Sequence, residues 1–170
     1  MNERLWAPWR SSYVQAESPK PAGGCVFCDA VAGGPAHDRE HYVLARGKHV
    51  FAILNVYPYN PGHLMIVPFD HLGDLSAADR ETVAEMMAMA QDAVRALRAA
   101  MNPGGFNLGM NLGTPGGAGI TDHIHLHVVP RWGGDTNFIS VVGDTRVLPQ
   151  ALLDTYDVLR PALEKVLQGD

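Results

Sequence analysis

The sequence has only two cysteines, no excess of positive charge and no long apolar run. Of its 170 residues, 13 are Lys or Arg and 18 are Asp or Glu, so the formal net charge is −5. Nucleic-acid-binding modules usually carry a basic excess or a Lys/Arg stripe, so we expect no nucleic-acid partner. No segment approaches the roughly 18 apolar residues of a membrane span, and no apolar signal region is evident. We therefore expect no membrane association and a cytoplasmic location.

Cys25 and Cys28 are too few for a disulfide framework, and their two-residue spacing is typical of metal or redox sites. Such a pair supplies half of a tetrahedral zinc site. A redox dithiol has the same spacing but usually lies between a strand and a helix, whereas Gly23-Gly24 precedes this pair. We favour structural zinc over redox chemistry or two inert thiols. The two missing ligands would then be histidines, and His71, after a predicted strand end, is a candidate.

The pattern of apolar residues predicts an α+β fold on an antiparallel five-stranded sheet, with one long helix and a C-terminal helix. Strand-like runs cover residues 42–46, 49–54, 63–68, 106–112 and 123–130. Residues 76–101 form the predicted long helix, with Ser76 and Asp79 as its N-terminal capping pattern. Its predicted core positions are Val83, Met86, Met87, Ala90, Val94, Leu97 and Met101. Those of the C-terminal helix, bent at Pro161, are Leu152, Leu153, Tyr156, Leu159, Leu163 and Val166.

The most informative stretch is His123-Ile-His125-Leu-His127-Val-Val-Pro130, in which three histidines alternate with apolar residues. In a strand the three imidazoles would share one face, while the apolar residues between them face the core. Buried imidazole nitrogens need hydrogen-bond partners, so a purely structural role is disfavoured. Two interpretations remain: a catalytic metal held by the three imidazoles, and a histidine nucleophile with neighbours that hold phosphate.

The preceding segment indicates what surrounds these histidines. Residues 106–112 alternate apolar with small or polar residues, which places Asn107, Gly109 and Asn111 on the face away from the core. The glycine-rich loop Gly113-Thr-Pro-Gly-Gly-Ala-Gly119 connects this strand to the histidine run. If the two strands form a hairpin, Asn111 and the loop lie near the imidazoles.

The histidine run matches His-φ-His-φ-His-φ-φ, with φ apolar, the pattern that names the histidine triad (HIT) superfamily of nucleotide hydrolases and transferases. Asn55-Val-Tyr-Pro-Tyr-Asn-Pro-Gly62-His63 also resembles the ribose-binding segment of that family. Leu5-Trp-Ala-Pro, Gly105-Phe-Asn and Pro130-Arg-Trp-Gly-Gly-Asp-Thr-Asn-Phe138 are most similar to bacterial diadenosine tetraphosphate phosphorylases. The resemblance implies a HIT domain over residues 25–139. An N-terminal docking segment, residues 1–24 with Trp6 and Trp9, would precede it, and a C-terminal helical extension, residues 140–170, would follow.

The resemblance also implies roles for individual residues. His125 would be the nucleophile that attacks an α-phosphorus and forms a nucleotidyl-histidine intermediate, and His127 would hold the phosphate oxygens. Asn111 and N–H groups of the glycine loop, among them Gly117 and Gly119, would add donors. Asn55 would bind the ribose, with His63 at the edge of the nucleotide pocket. By similarity to zinc-bearing members, the metal ligands would be Cys25, Cys28, His71 and His123.

The activity implied is cleavage of dinucleoside polyphosphates such as diadenosine tetraphosphate, with structural Zn²⁺ and no organic cofactor. Phosphorolysis is favoured, and hydrolysis of dinucleoside polyphosphates or nucleoside phosphoramidates is the alternative. A zinc-dependent hydrolase that uses the triad as metal ligands and a non-catalytic nucleotide-binding protein are further alternatives. We expect a homodimer that joins two five-stranded sheets into a ten-stranded one.

The sequence departs from the family at one point. Many family hydrolases have Ala-Gly-Gln before Ser or Thr ahead of the triad, but this chain has Ala118-Gly-Ile-Thr-Asp122. Backbone donors from Gly116–Gly119 would have to replace the missing glutamine side chain.

Overall fold

The computed structural model describes residues 24–135 and 150–169. Within these ranges a five-stranded sheet combines with three α-helices and short 3₁₀ turns. The strands are β1 (Val43–Arg46), β2 (Val50–Leu54), β3 (Leu64–Pro68), β4 (Gly105–Gly109) and β5 (Leu126–Arg131), and the helices are α1 (Val26–Ala32), α2 (Arg80–Met101) and α3 (Leu152–Gln168). The strand order is β1-β2-β3-β5-β4, and every neighbouring pair is antiparallel. The predicted α+β class is confirmed.

The sheet separates two apolar layers. Alternate residues of β2 and β3, such as Val50 and Ile66, face α2 and α3 in the larger core. The intervening residues, such as Phe51 and Val67, pack against Phe27 and Ala30 of α1 on the opposite face. Both faces of these strands are therefore buried, which explains why they read as continuous apolar runs.

The long helix begins later than its sequence predicts. Asp79 is the N-cap residue, and its carboxylate accepts a hydrogen bond from the Thr82 N–H group at 2.7 Å. Ser76 lies instead in a 3₁₀ turn, where its own N–H group donates to Asp74. The predicted core position Met87 is wrong, since that side chain is 56% exposed, whereas Met89 is buried.

The remaining helices also differ from expectation in detail. Helix α1 has no counterpart among the predicted elements, because a seven-residue segment gives only a weak periodic signal. Helix α3 is confirmed and continues through Pro161, but Leu153 is exposed rather than buried. The docking segment with Trp6 and Trp9, and residues 136–149, lie outside the described residues. Among the helices that the structure describes, none is long and apolar enough to cross a membrane.

Candidate functional site: a thiol–imidazole cluster beside a histidine relay

Four potential metal ligands converge where α1, the end of β3 and the start of the histidine run meet. They are Cys25, Cys28, His71 and His123, and their ligand atoms all lie within 4.8 Å of one another. Nδ1 of His123 lies 3.2 Å from Sγ of Cys25, and Nδ1 of His71 lies 3.4 Å from Sγ of Cys28. Zn–S bonds near 2.3 Å and Zn–N bonds near 2.0–2.1 Å in a tetrahedron would place such atoms about 3.5 Å apart. The four residues therefore form a cluster that could hold a metal.

The chemistry of the donor set also fits a metal. The Nε2–H group of His123 donates to the carbonyl oxygen of Pro68 at 2.9 Å, which leaves the Nδ1 lone pair directed at the cysteines. A backbone carbonyl that fixes the far nitrogen is the usual support of a ligating histidine. Burial, followed by the neighbouring Cys25, raises the pKa of the Cys28 thiol. A divalent cation between the sulfur atoms would favour the thiolates that ligate it.

A backbone hydrogen bond joins the two segments that carry the histidine ligands. The Ile124 N–H group donates to the carbonyl oxygen of Leu72 at 2.8 Å, so the residues after each histidine are tied to one another. A Cβ atom at Gly73 would lie 2.7 Å from the carbonyl oxygen of Thr121, so this close approach requires glycine. The position of His71 after a predicted strand, and the similarity to zinc-bearing members, predict it as a ligand beside His123; the sequence gives no sign of the backbone bond between Ile124 and Leu72.

The predicted nucleophile, His125, has a fixed orientation. Its Nδ1 lies 2.9 Å from the carbonyl oxygen of His123, which can only accept a hydrogen bond. Nδ1 therefore carries the proton and Nε2 keeps its lone pair. Burial lowers the pKa of His125, and the bond to the His123 carbonyl offsets part of that effect. The arrangement gives a neutral imidazole with a lone pair suited to nucleophilic attack.

Phe27 connects the thiol–imidazole cluster to this imidazole. It lies between the two cysteines in sequence and is buried, and its ring centroid is 5.4 Å from that of His123 and 5.1 Å from that of His125. The ring thus packs against one member of the cluster and against the candidate nucleophile. Sequence reasoning missed this residue, because an apolar side chain between two cysteines gives no separate signal.

His63 lies beneath His127, and its side chain is fully buried. The Tyr59 N–H group donates to Nδ1 of His63 at 3.0 Å, so Nδ1 is an acceptor and the proton is on Nε2. Nε2 of His63 lies 3.0 Å from Nδ1 of His127 and donates to it. Burial first, then the neighbouring His127 and His125, lowers the pKa of His63 to about 3.

This sequence of hydrogen bonds determines the tautomer of His127. Since Nδ1 of His127 accepts a proton from His63, a neutral His127 must carry its own proton on Nε2. The two rings of His125 and His127 meet edge to face, with centroids 4.9 Å apart. A nitrogen lone pair on one ring and an N–H donor on the next are what attack on a phosphoryl group needs.

The strand positions of the triad differ from the prediction. Strand β5 begins at Leu126, so His123 and His125 precede the strand and only His127 lies within it. His127 is paired with Gly109 of β4, so these two segments are neighbouring antiparallel strands. Asn111 lies two residues beyond Gly109, past the end of β4.

The remaining predicted binding residues lie in loops. Oδ1 of Asn55 accepts a hydrogen bond from the Tyr57 N–H group at 2.9 Å, and Nδ2 lies 3.4 Å from Nδ1 of His63. In the glycine loop, the Gly117 N–H group donates to Thr114 within a 3₁₀ turn, and Gly117 has the left-handed φ of +87° that ends it. The N–H groups of Gly116 and Ala118 also donate within this turn, to Gly113. The Gly119 N–H group makes none of these bonds.

The comparisons with known proteins agree with this geometry. The sequence model of the HIT domain family matches residues 37–134 of this chain. An AP-4-A phosphorylase of Mycobacterium tuberculosis is 45% identical over 161 residues, which is 92% of this chain and 82% of that protein. The chain belongs to the HIT family. Since the relationship to a named enzyme spans nearly the whole chain, the chain is an enzyme of this family.

Solved structures extend the comparison. A zinc-bound histidine triad family protein from Mycobacterium smegmatis superposes with a TM-score of 0.69 at 30% identity, over 86% of this chain and 98% of that one. A histidine triad nucleotide-binding protein from Sulfolobus tokodaii gives a TM-score of 0.66 at 24% identity, over 84% of this chain and 93% of its own. The second likeness concerns the fold alone.

Proposed function

We propose that this HIT-family enzyme cleaves dinucleoside polyphosphates, with diadenosine tetraphosphate as the model substrate, through a nucleotidyl intermediate on His125. The observation that carries the proposal is the bond between Nδ1 of His125 and the His123 carbonyl. It directs the free lone pair to Nε2, the atom that would attack the α-phosphorus. The 45% identity to a protein named AP-4-A phosphorylase supports the substrate class.

The proposed reaction has two displacements. In the first, Nε2 of His125 forms a bond to the α-phosphorus, and the bond to the bridging oxygen breaks, so ATP leaves from diadenosine tetraphosphate. In the second, an oxygen of inorganic phosphate attacks the same phosphorus, the P–N bond breaks and ADP leaves. His127, through its Nε2–H group, would hold the non-bridging oxygens while negative charge develops on them. Asn111 and the Gly119 N–H group would add donors, and Asn55 would bind the ribose.

We propose zinc as the metal of the thiol–imidazole cluster, with a structural role. Two thiolates and two imidazoles are a common ligand set of closed zinc sites. Among the described residues, this cluster is the one group of at least three side chains that could hold a metal ion. It includes His123 but neither His125 nor His127. The donor arrangement therefore favours a division of roles within the triad over a catalytic metal held by all three histidines.

The acceptor in the second displacement decides between phosphorolysis and hydrolysis. We favour phosphorolysis and propose mass spectrometry of products from diadenosine tetraphosphate, with and without ¹⁸O-labelled inorganic phosphate. Phosphorolysis predicts ATP and labelled ADP, formed only when phosphate is present. ATP with AMP, or two ADP molecules without label, would identify a hydrolase instead. No turnover of any dinucleotide would contradict the proposal and favour a binding protein.

We also propose a homodimer in which the β4 edges of two chains adjoin. Strand β4 lies at the end of the strand order, and Leu108 on it and Leu112 beyond it are 43% and 45% exposed. Among the strands that the structure describes, β4 has a neighbour on one side only, and such an edge with apolar side chains is a ready pairing surface. Sedimentation equilibrium at micromolar concentration should give twice the chain mass, and Leu108→Lys should shift it toward the single chain. A cytoplasmic location stays an expectation from the sequence.

A further inference from the structure

A hydrogen-bonded network lies at the end of β5, away from the thiol–imidazole cluster. The Asp135 carboxylate accepts from Nε and Nη2 of Arg131 at 2.6 and 2.8 Å, and from the Trp132 N–H group at 3.2 Å. It also accepts from Nδ2 of Asn60 at 2.7 Å. These donors, Arg131 foremost, hold the pKa of the Asp135 carboxyl well below its usual range. Asp135 therefore stays an anion around which several donors are ordered.

Asn60 connects this network to the loop before β3. Its side chain is buried, and Nδ2 donates to the Pro130 carbonyl oxygen at 2.9 Å as well as to Asp135. Both amide hydrogens are therefore used, and they fix the position of the residue on the end of β5. Its backbone carbonyl accepts from the His63 N–H group at 3.1 Å, which closes the turn that leads into β3.

The next residue toward the N-terminus, Tyr59, contacts His63 twice. Its N–H group donates to Nδ1 of His63, and its ring stacks on the imidazole with centroids 4.7 Å apart and an angle of 23° between the planes. This N–H group belongs to the peptide unit between Pro58 and Tyr59, so its distance from His63 depends on how the neighbouring Asn60 places Tyr59. Moving Asn60 would therefore withdraw the donor that keeps the His63 proton on Nε2.

We propose that Asn60 and Asp135 are positioning residues for the phosphate-holding histidine. They anchor Tyr59 so that its N–H group fixes the tautomer of His63, which in turn fixes the tautomer of His127. Arg131 completes the anchor, since its Nη1 donates to Oδ1 of Asn107 on β4 at 2.7 Å and its other nitrogens hold Asp135. The catalytic consequence rests on the proposed function, because it assumes that His127 donates to phosphate.

The test compares tautomers and kinetics in the full-length protein. Long-range ¹H–¹⁵N NMR of the imidazoles should show His63 and His127 each with a single proton, on Nε2. Asn60→Ala should give averaged ¹⁵N shifts for His63 that indicate two tautomers. We expect kcat for diadenosine tetraphosphate to fall about tenfold, with KM within about twofold, because the His127 donor acts on charge that develops in the transition state.

Two further variants make the test specific. Asp135→Asn keeps the size of the side chain and removes the charge, so it serves if Asn60→Ala does not fold, and it should shift the same resonances. Asp157 of α3 forms an exposed ion pair with Arg39. Asp157→Asn removes this carboxylate and should leave the tautomers and kcat unchanged. Lower thermal stability with unchanged tautomers and unchanged kcat in the Asn60 and Asp135 variants would overturn the proposal.

The NMR result does not depend on the substrate. If no dinucleotide is cleaved but the tautomers respond to Asn60→Ala, the proposed function fails and the positioning of His127 stands. If wild-type His63 already shows two tautomers, the positioning proposal fails whatever the activity.

Discussion

The Nε2–H group of His63 donates to Nδ1 of His127 across 3.0 Å, and this bond excludes a proton from that nitrogen of His127. Since Nδ1 of His63 already accepts from the Tyr59 N–H group, the pair has only one consistent proton arrangement while both are neutral. His127 therefore presents an N–H group, not a lone pair, from its other nitrogen. The buried His63 thus determines whether His127 presents a donor or an acceptor from that nitrogen.

His63→Gln should lower activity more than substrate affinity. The glutamine cannot reproduce the directed imidazole bond, so His127 would exchange between tautomers and lose part of its donor function. The loss of one such donor predicts a fall in kcat of roughly 10- to 100-fold. Steady-state kinetics with diadenosine tetraphosphate measure it, and His41→Gln at an exposed position is the control. A change confined to KM would show that His63 contributes only to binding.

The buried His63 should also make stability fall in mild acid. Its pKa is about 3 in the folded protein, against 6.5 for an ordinary histidine, so below pH 6.5 the unfolded chain takes up a proton that the folded chain does not. This group leaves the free energy of unfolding nearly unchanged above pH 6.5 and lowers it as the pH falls toward 3. The contribution amounts to about 2 kcal/mol between pH 7 and pH 5.

Chemical denaturation of the wild type and of His63→Gln at several pH values isolates this effect. Both proteins share the thiol–imidazole cluster, so its acid sensitivity cancels in the difference between them. The wild type should lose about 2 kcal/mol more than the variant between pH 7 and pH 5. Parallel stability curves would mean that His63 accepts a proton in the folded protein.

Metal content should depend on His71 although it lies on an exposed loop. We expect one zinc ion per chain, and His71→Ala should lower the affinity because three ligands remain of the four. Zinc binding contributes to folding free energy, so a chelator should lower the melting temperature of the wild type and have little effect on the variant. Elemental analysis and thermal unfolding provide the measurements, with His37→Ala as the control. Equal zinc content in both variants would remove His71 from the ligand set.

The sequence predicts the sheet and the identity of the reactive side chains better than it predicts which residues are buried and where the helices begin. Strands β2 and β3 could be predicted because both of their faces are apolar. Helix α1 could not, since only Phe27 and Ala30 of its seven residues are buried. For α2, Ser76 and Asp79 are both good capping residues, so the sequence leaves two possible starts. In the structure the Ser76 N–H group donates to Asp74, and Asp79 caps the helix by accepting from Thr82.

In the site, the sequence predicts the metal ligands but not the position of His63. The similarity to zinc-bearing members predicts Cys25, Cys28, His71 and His123 as neighbours, because family resemblance carries long-range information that local spacing lacks. The position of His63 beneath His127 follows from the pairing of β3 with β5, where Met65 faces His127. No local pattern distinguishes a histidine that enters a pocket from one that supports it.

A buried ion cluster at the β1 edge should matter for stability. Asp38 is 3% exposed, and its Oδ1 accepts from Nε and Nη2 of Arg46 at 2.9 and 2.7 Å. Asp38→Asn leaves the Arg46 guanidinium without its charged partner, which predicts a loss of about 3 kcal/mol. Asp157→Asn makes the same change in an exposed ion pair with Arg39 and should cost less than about 1 kcal/mol. Urea denaturation compares the two, and equal losses would contradict a special role for the buried pair.

The covalent step can be examined directly at His125. Without inorganic phosphate, wild-type enzyme mixed with diadenosine tetraphosphate should gain the mass of one adenylyl group, held by a P–N bond that acid cleaves and base spares. His125→Ala should show no such adduct and a fall in kcat of at least about 10³-fold, with nucleotide binding retained in calorimetry. His127→Ala keeps the nucleophile and should form the adduct slowly. An adduct that persists in His125→Ala would move the nucleophile elsewhere, and full activity in that variant would rule out covalent catalysis by this histidine.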